Sequence, residues 1–243
     1  MRLLIPSDRA ADVTPWTGEH DPDLTDVDLD TLYAHPGPLL RLGMVSTLDG
    51  AATGGDGVSG SIGSDADHRA FTALRRAADA VVVGRGTASA EGYRAGEVPL
   101  VVVSRRGRLP DGLAETASDS TSDATGRGGV PPLVLATCAD SGRQDGERVW
   151  VHGGAEVDLA AVLERARSTY GPHLLCEGGP GLAGDLAQAG LVDEIALSWT
   201  PRLVGGGAHD HPRVLAGAGL DLAVRPVHLL EEDGTVVGLW QLS

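Results

Sequence analysis

Residues His173–Gly190 read H-L-L-C-E-G-G-P-G-L-A-G-D-L-A-Q-A-G. The short apolar run His173–Cys176, closed by Glu177, has the length and character of a buried strand. Gly178, Gly179, Pro180 and Gly181 come next, and a helical pattern then runs until Gly190. Pro180 suits the first helical turn, where a missing N–H costs nothing, and Gly190 suits the position just past the end. A strand, a glycine turn and a helix N-terminus form an anion-binding arrangement. Bare amides and the positive end of the helix dipole face the anion, and glycine lets the backbone approach. The stretch also contains G-x-G-x-x-G at Gly179, Gly181 and Gly184. In a chain with 35 glycines that match is weak alone. A tight strand-to-helix turn without a ligand reads equally well.

Outward from this stretch, strands and helices alternate. Toward the N-terminus lie Leu39–Leu48, Asp79–Gly84, Leu100–Ser104, Leu133–Thr137 and a short run at Arg148–His152, all strand-like. Between them, Ser64 caps a helix with Asp67 three residues on for a capping role, Arg85-Gly86-Thr87 opens a short helix, and Asp158–Tyr170 is a capped amphipathic helix. Toward the C-terminus, Glu194–Thr200 is another strand, and Ala223–Leu230 and Val236–Leu242 flank Asp233-Gly234, a strong hairpin signal. Alternating strands and helices predict an α/β protein with a mainly parallel sheet covered on both faces, the closing hairpin adding antiparallel edge strands. Met1–Pro38 is acidic and proline-punctuated, and reads as a surface arm with one short helix over Thr25–Tyr33. Residues 39–243 read as one domain, with the polar, low-complexity Glu115–Gly129 as a mobile loop.

Composition narrows the function. At 243 residues and 42% hydrophobic content the chain can bury one sizeable core. No window of 18 apolar residues exists, and Met1–Pro6 is too short for a signal-peptide core. Cys138 and Cys176, the only cysteines, both lie in apolar strand-like runs and read as reduced core thiols of a cytoplasmic protein. A net charge of −15 argues against a nucleic-acid surface, so an anionic ligand must be held by local arginines and helix ends. His209-Asp210-His211 reads as a polar loop beside glycines, and no metal is expected.

Ligands of such sheets bind at the carboxyl ends of the strands. Four strand ends carry chemistry: Ser46–Gly50, Gly84–Thr87, Ser104–Arg106 and Glu177–Gly181. Singly, Asp49 is a turn residue, Arg85 a solvated cation and Arg105-Arg106 a soluble loop. Together they bring hydroxyls, guanidinium groups, glycines and two carboxylates to one crevice.

The set resembles the reductase domain of riboflavin biosynthesis, the C-terminal domain of the deaminase/reductase, within the dihydrofolate-reductase-like superfamily. The matching pieces are S-T-L-D-G-A-A-T (Ser46–Thr53), L-R-R-A-A-D-A-V-V-V-G-R-G-T (Leu74–Thr87), V-V-V-S-R (Val101–Arg105), L-L-C-E-G-G-P-G-L (Leu174–Leu182), G-L-V-D-E (Gly190–Glu194) and P-R-L-V-G-G (Pro201–Gly206). They fall in family order from Leu39 to the end. The resemblance implies a three-layer α/β/α fold and NADPH-dependent reduction of 5-amino-6-(5-phosphoribosylamino)uracil to its ribitylamino product. It implies that Thr47, Gly84, Arg85, Thr87, Ser104 and Arg105 lie along the cofactor, with its diphosphate on Gly178, Gly179, Pro180, Gly181 and Leu182. Asp49 and Glu177 are then the catalytic carboxylates, flanking nicotinamide and substrate. Ser46, Ser61, His68, Arg69 and Arg94 are the substrate-side residues. A homodimer is also expected, paired through the sheets, with the closing hairpin offering an apolar edge at Val236, Val237, Leu239 and Trp240.

The cofactor side matches the family more fully than the substrate side. Ser61 stands before Ile62 where the family commonly has Trp-Ile, His68 or Arg69 stands where it often has an arginine near substrate phosphate, and Thr87 leads to Ala90-Glu91-Gly92-Tyr93 rather than Asp-Asp-Pro. No H-x-E with P-C-x-x-C occurs, so the activity expected is reductase only. Two other readings stand beside it: a dihydrofolate-reductase-type activity on a pterin, and a non-catalytic NADP-binding homologue. With the NADPH that the resemblance implies, Arg85, Arg105 and Arg106 suit its 2′-phosphate, because guanidinium binds phosphate in a forked geometry.

Overall fold

Apolar runs of four or five residues separated by amphipathic, capped segments produce the expected alternation. In chain order the elements are β1 (Arg2–Ile5), α1 (Asp26–Leu32), β2 (Leu39–Thr47), α2 (Asp65–Ala77), β3 (Ala80–Gly84), α3 (Arg85–Ala90), β4 (Leu100–Val103), β5 (Leu133–Thr137), β6 (Val149–Val151), α4 (Leu159–Tyr170), β7 (His173–Cys176), α5 (Pro180–Gln188), β8 (Glu194–Thr200), β9 (Val224–Glu232) and β10 (Thr235–Leu242). This computed structural model describes residues 1–5, 23–96, 98–113, 130–206, 210–217 and 219–242. The loop expected at Glu115–Gly129, residues 6–22 of the arm and His209 lie outside the described residues.

Among the described residues one ten-stranded sheet runs in the order β1-β9-β10-β8-β2-β7-β3-β4-β5-β6. From β8 to β6 neighbouring strands are parallel. On the other side β10, β9 and β1 add antiparallel pairs. The parallel strands are continuous Val/Leu/Ala runs because both their faces are covered. One core lies under α1, α2 and α3, gathering Ala70, Leu74, Val83 and Leu175; the other lies under α4 and α5, gathering Val82, Leu163, Cys176 and Leu186. The architecture is therefore the three-layer α/β/α arrangement. Cys138 and Cys176 are buried free thiols.

Local signals explain the element ends. Thr25 and Asp28 form a reciprocal capping box on α1. Ser64 and Asp158 each accept an N–H from the third residue of their helix. Asp233 (φ 50°) and Gly234 (φ 79°) both take the left-handed conformation that a two-residue hairpin turn demands.

A buried ion pair joins β2 to β8. Arg41 donates to Glu194 Oε2 from Nε at 3.0 Å and from Nη2 at 2.7 Å, and its Nη1 donates to the Tyr33 carbonyl at 2.8 Å. The two residues are direct partners in the parallel register.

Three expectations need correction. Arg2–Ile5 is no surface arm: it is the edge strand β1, with Met1 and Leu3 buried and Arg2 opposite Glu231. The closing hairpin offers no open edge at Val236, Val237, Leu239 and Trp240, since β10 is paired on both sides and Val237 and Leu239 are core residues. Asp67 serves the Ser64 cap through its backbone N–H, while its carboxylate turns inward.

Candidate active site

A cavity of about 1000 Å³ opens at the carboxyl ends of β2, β3 and β7, roofed by α2 and α3 and bounded by the start of α5 and by β8. Its making begins with the glycine turn. Gly178 has φ 78°, and a Cβ there would lie 3.0 Å from Met44 Sδ. A Cβ on Gly179 would lie 2.3 Å from Thr87 Oγ1, and one on Gly84 would lie 3.4 Å from the Gly179 nitrogen. The Gly84 N–H donates to the Gly178 carbonyl at 2.6 Å, so the ends of β3 and β7 meet backbone to backbone. The Gly178–Gly179 peptide is cis. Gly179 is the N-cap of α5 and Pro180 opens the helix. The amides of Gly181 and Leu182 therefore fall in the first turn, without intrahelical partners, on residues that line the cavity. Gly184, the third glycine of the motif, answers to packing instead: a Cβ there would lie 1.9 Å from the Ala216 carbonyl oxygen.

Glu177, at the end of β7, is buried and fully engaged. Arg75 donates to its two oxygens from Nε at 2.6 Å and Nη2 at 2.7 Å, and the Tyr93 hydroxyl donates to it as well. The Arg75 guanidinium also lies over the rings of Phe71 and Tyr93, 4.6 and 5.3 Å from their centroids. Burial and the adjacent Glu177 carboxylate push the Tyr93 hydroxyl far above the ordinary range, so it stays a donor. At the other wall stands Asp67. Burial raises its carboxyl above the usual carboxylate range, against the opposing pull of the Ser198 hydroxyl and of His68. The loop Gly54–Gly63 arches over the mouth and is tied to α3 by the Ser59 N–H, which donates to Glu91 at 2.6 Å.

Of the sequence candidates, Gly84, Thr87, Glu177, Gly179, Pro180, Gly181, Leu182, His68 and Arg94 line the cavity. The other candidates do not. Gly178 is the buried bend behind the turn. Ser46 and Thr47 are buried: Ser46 donates to the Thr47 carbonyl, and Thr47 donates to Asp49 at 2.5 Å and accepts the Ala51 N–H. Asp49 is exposed, and its carboxylate accepts the Thr47 hydroxyl and the N–H groups of Val204 at 3.1 Å and Gly205 at 2.7 Å. Those bonds, the Thr47 hydroxyl first, hold it below the usual carboxylate range. Its geometry is that of a clamp on the Pro201–Gly206 loop rather than of a group aimed into the cavity. Ser61 bonds Asp56 across its own loop. Arg69 points to the outer side, where it holds Asp26, Glu232 and the Leu24 carbonyl, fastening α1 and the hairpin to α2. Arg85 is exposed at the start of α3. Ser104 is buried and accepts the Arg108 N–H. Arg105, with Arg106 and Arg108, borders a second depression at the ends of β4 and β5 and pairs with Glu156 at 2.7 Å. Asp67, Arg75 and Tyr93 are among the cavity residues that the sequence does not mark as site residues.

Residues 38–237 match the family described as the RibD C-terminal domain. Over 197 residues the chain is 32% identical to the 2,5-diamino-6-ribosylamino-4(3H)-pyrimidinone 5′-phosphate reductase of Methanothermobacter thermautotrophicus, covering 76% of this chain and 86% of that protein. The reductase of the same name from Archaeoglobus fulgidus is 28% identical over 200 residues, covering 74% and 87%. In fold, the crystal structure of a pyrimidine reductase-like protein from Corynebacterium diphtheriae superposes with a TM-score of 0.69 at 19% identity, covering 85% of this chain and 92% of that one. With the family match spanning most of the chain and the glycine turn, Glu177 and the helix start assembled at one cavity, the chain belongs to the RibD C-terminal domain family of reductases.

Proposed function

We propose that the protein is an NADPH-dependent reductase that converts the ribosylamino group of a phosphorylated aminopyrimidine to a ribitylamino group, in the cytoplasm, as a step of riboflavin biosynthesis. The observation that carries this reading is the union, in one cavity, of the glycine turn and α5 start with a charged wall built from α2, the end of β7 and the stretch just past α3. The turn fits a dinucleotide diphosphate: a side chain is strained at Gly178 by its positive φ and excluded at Gly179 by Thr87, and first-turn amides are available at Gly181 and Leu182. Arg105, Arg106 and Arg108, one depression further along the strand ends, suit the 2′-phosphate. When bound, the cofactor supplies hydride. The chain supplies position and polarity. Glu177, fixed by Arg75 and Tyr93, forms a rigid wall at the end of β7. His68 and Arg94 offer donors at the mouth for a phosphorylated tail. The homodimer belongs to the proposal on the resemblance alone, and light scattering at micromolar concentration checks it.

The test is twofold. Fluorescence titration should show NADPH bound over NADH by roughly tenfold or more, a preference lost in Arg105→Ala/Arg106→Ala. The phosphorylated ribosylaminopyrimidine should drive NADPH oxidation, and dihydrofolate should not. NADPH binding with turnover of neither compound would leave only a nucleotide-binding homologue.

A further inference from the structure

We infer that Asp67 is the proton donor of this site: its carboxyl protonates the ring oxygen O4′ of the ribosylamino group as the sugar opens. The inference deepens the reductase reading above and rests on it.

A ribosylamino group becomes a ribitylamino group only if the C1′–O4′ bond breaks, and the departing oxygen needs a proton. The two carboxylates expected to serve are committed elsewhere. Asp49 clamps the Pro201–Gly206 loop. Glu177 accepts Arg75 on both oxygens, and the Tyr93 hydroxyl is turned toward it. Glu91 holds the Ser59 N–H of the loop over the mouth. Among the described residues that line the cavity, the carboxyl left is Asp67.

Asp67 sits on the first turn of α2 and turns into the cavity, where Gly63 leaves it room: a Cβ there would lie 3.2 Å from Asp67 Oδ2. The groups that face it are the Ser198 hydroxyl of β8, His68 beside it on α2 and the buried Tyr33 hydroxyl just past α1. Met44 of β2 and Val237 of β10 are apolar, and Glu177 of β7 is paired with Arg75. Burial favours the neutral acid and raises the carboxyl above the usual carboxylate range. The substrate favours it further. Its phosphate lies at the mouth with His68 and Arg94, and an anion next to Asp67 opposes loss of the Asp67 proton. In the sugar, the carbon that bears O4′ is bonded to the carbon that bears the phosphate. Asp67 and His68 are neighbours in the same way, so a phosphate at His68 brings O4′ to Asp67. The α5 amides take no part, since they face the cofactor diphosphate.

The electrons balance. The C1′–O4′ pair stays on O4′, which takes the Asp67 proton and becomes a hydroxyl. The amino nitrogen lone pair closes a C1′=N bond. Hydride from NADPH then adds to C1′, the π pair returns to nitrogen, and the Asp67 carboxylate regains a proton from water.

The experiment has two arms, run on 2,5-diamino-6-ribosylamino-4(3H)-pyrimidinone 5′-phosphate and on 5-amino-6-(5-phosphoribosylamino)uracil. The first needs no cofactor. Opening and reclosing the sugar interconverts its α and β anomers, so exchange NMR with the wild type alone should show that interconversion faster than in buffer, and Asp67→Asn should abolish the acceleration. With NADPH added, Asp67→Asn should lower kcat by about 10²–10⁴-fold at unchanged NADPH affinity. The wild-type kcat should fall as rising pH removes the Asp67 proton, and that limb should vanish in the variant. Wild-type reduction without accelerated exchange, or a variant that matches the wild type in both arms, overturns the inference and leaves the reductase reading standing. A pH limb that persists in Asp67→Asn assigns the proton to His68 and overturns it too. Accelerated exchange, lost in the variant, with reduction of neither compound keeps Asp67 as the acid and overturns the reductase reading. Neither exchange nor reduction by the wild type overturns both.

Discussion

Arg75 and Glu177 form a two-pronged pair whose ends see different environments: the Glu177 side chain is 1% exposed, the Arg75 side chain 39%. The carboxylate thus depends on a cation that remains partly in water, with the Tyr93 hydroxyl as its third partner. Replacing Arg75 by Met leaves a buried carboxylate with one donor. We expect a loss of about 1.5–3 kcal/mol in urea unfolding, below the usual cost of breaking a fully buried pair because Arg75 is half in solvent. Arg75→Lys, which keeps charge but not the fork, should recover part of it. A loss under about 0.5 kcal/mol for Arg75→Met would mean that Glu177 finds another partner.

The raised Asp67 carboxyl makes a prediction about pH. The folded state holds that proton more tightly than the unfolded chain, so this group's contribution to stability is fully present below the unfolded pKa and is lost as pH rises through the raised, folded value. Asp67→Asn carries no charge to desolvate. Its melting temperature should match or trail the wild type near about pH 4 and gain on it steadily toward about pH 7. Parallel curves over that range would place the carboxylate in water rather than in the cavity wall.

The close approach of Gly179 and Thr87 invites a double-mutant cycle. Gly179→Ala forces a Cβ against Thr87 Oγ1, and the rigid β-branched side chain must leave its rotamer. The expected cost is about 1–3 kcal/mol, together with weakened NADPH binding. Thr87→Ala in the same chain should restore most of the stability, giving a favourable coupling of about 1 kcal/mol or more. Additive effects would show that the clash is relieved by backbone movement instead.

Asp49 separates a clamp from a proton relay. As placed, it holds Val204 and Gly205 to the end of β2. Asp49→Asn should speed limited proteolysis near Pro201–Gly206 while turnover per folded molecule falls less than about tenfold. A drop of about 10²–10⁴-fold with unchanged proteolysis would return Asp49 to the chemistry.

The elements that the sequence makes legible are those whose signals are local. The Val/Ala runs of β3 and β5, the caps at Ser64 and Asp158 and the Asp233-Gly234 turn each carry their own cause within a few residues. Strand β1 does not: four residues become a strand only because β9, more than two hundred positions away, offers an edge. The same division runs through the site. The glycine turn is visible because glycine itself marks a close approach. Asp67 looks like an ordinary first-turn acid, and only the docking of α2 against β8 and β10 turns it inward. Arg69 and Arg75 are six residues apart, about two-thirds of a turn around the helix, so one fastens α1 while the other reaches Glu177. No local pattern says which arginine faces the ligand.

Strand β1 also bears on how the protein is made. Its partner β9 is pinned in turn by β10, and both leave the ribosome about 220 residues after β1. Residues 2–5 must therefore wait, with Leu3 unsatisfied, until β2 to β8 have emerged. Parallel pairing of β2 with β7 and β8 imposes the same delay on the centre of the sheet, because its partners lie more than 130 residues downstream. A nascent chain stalled before β8 holds the apolar strands β2 to β7 with one long flank bare, the state in which a chaperone would find it and in which it is most prone to aggregate.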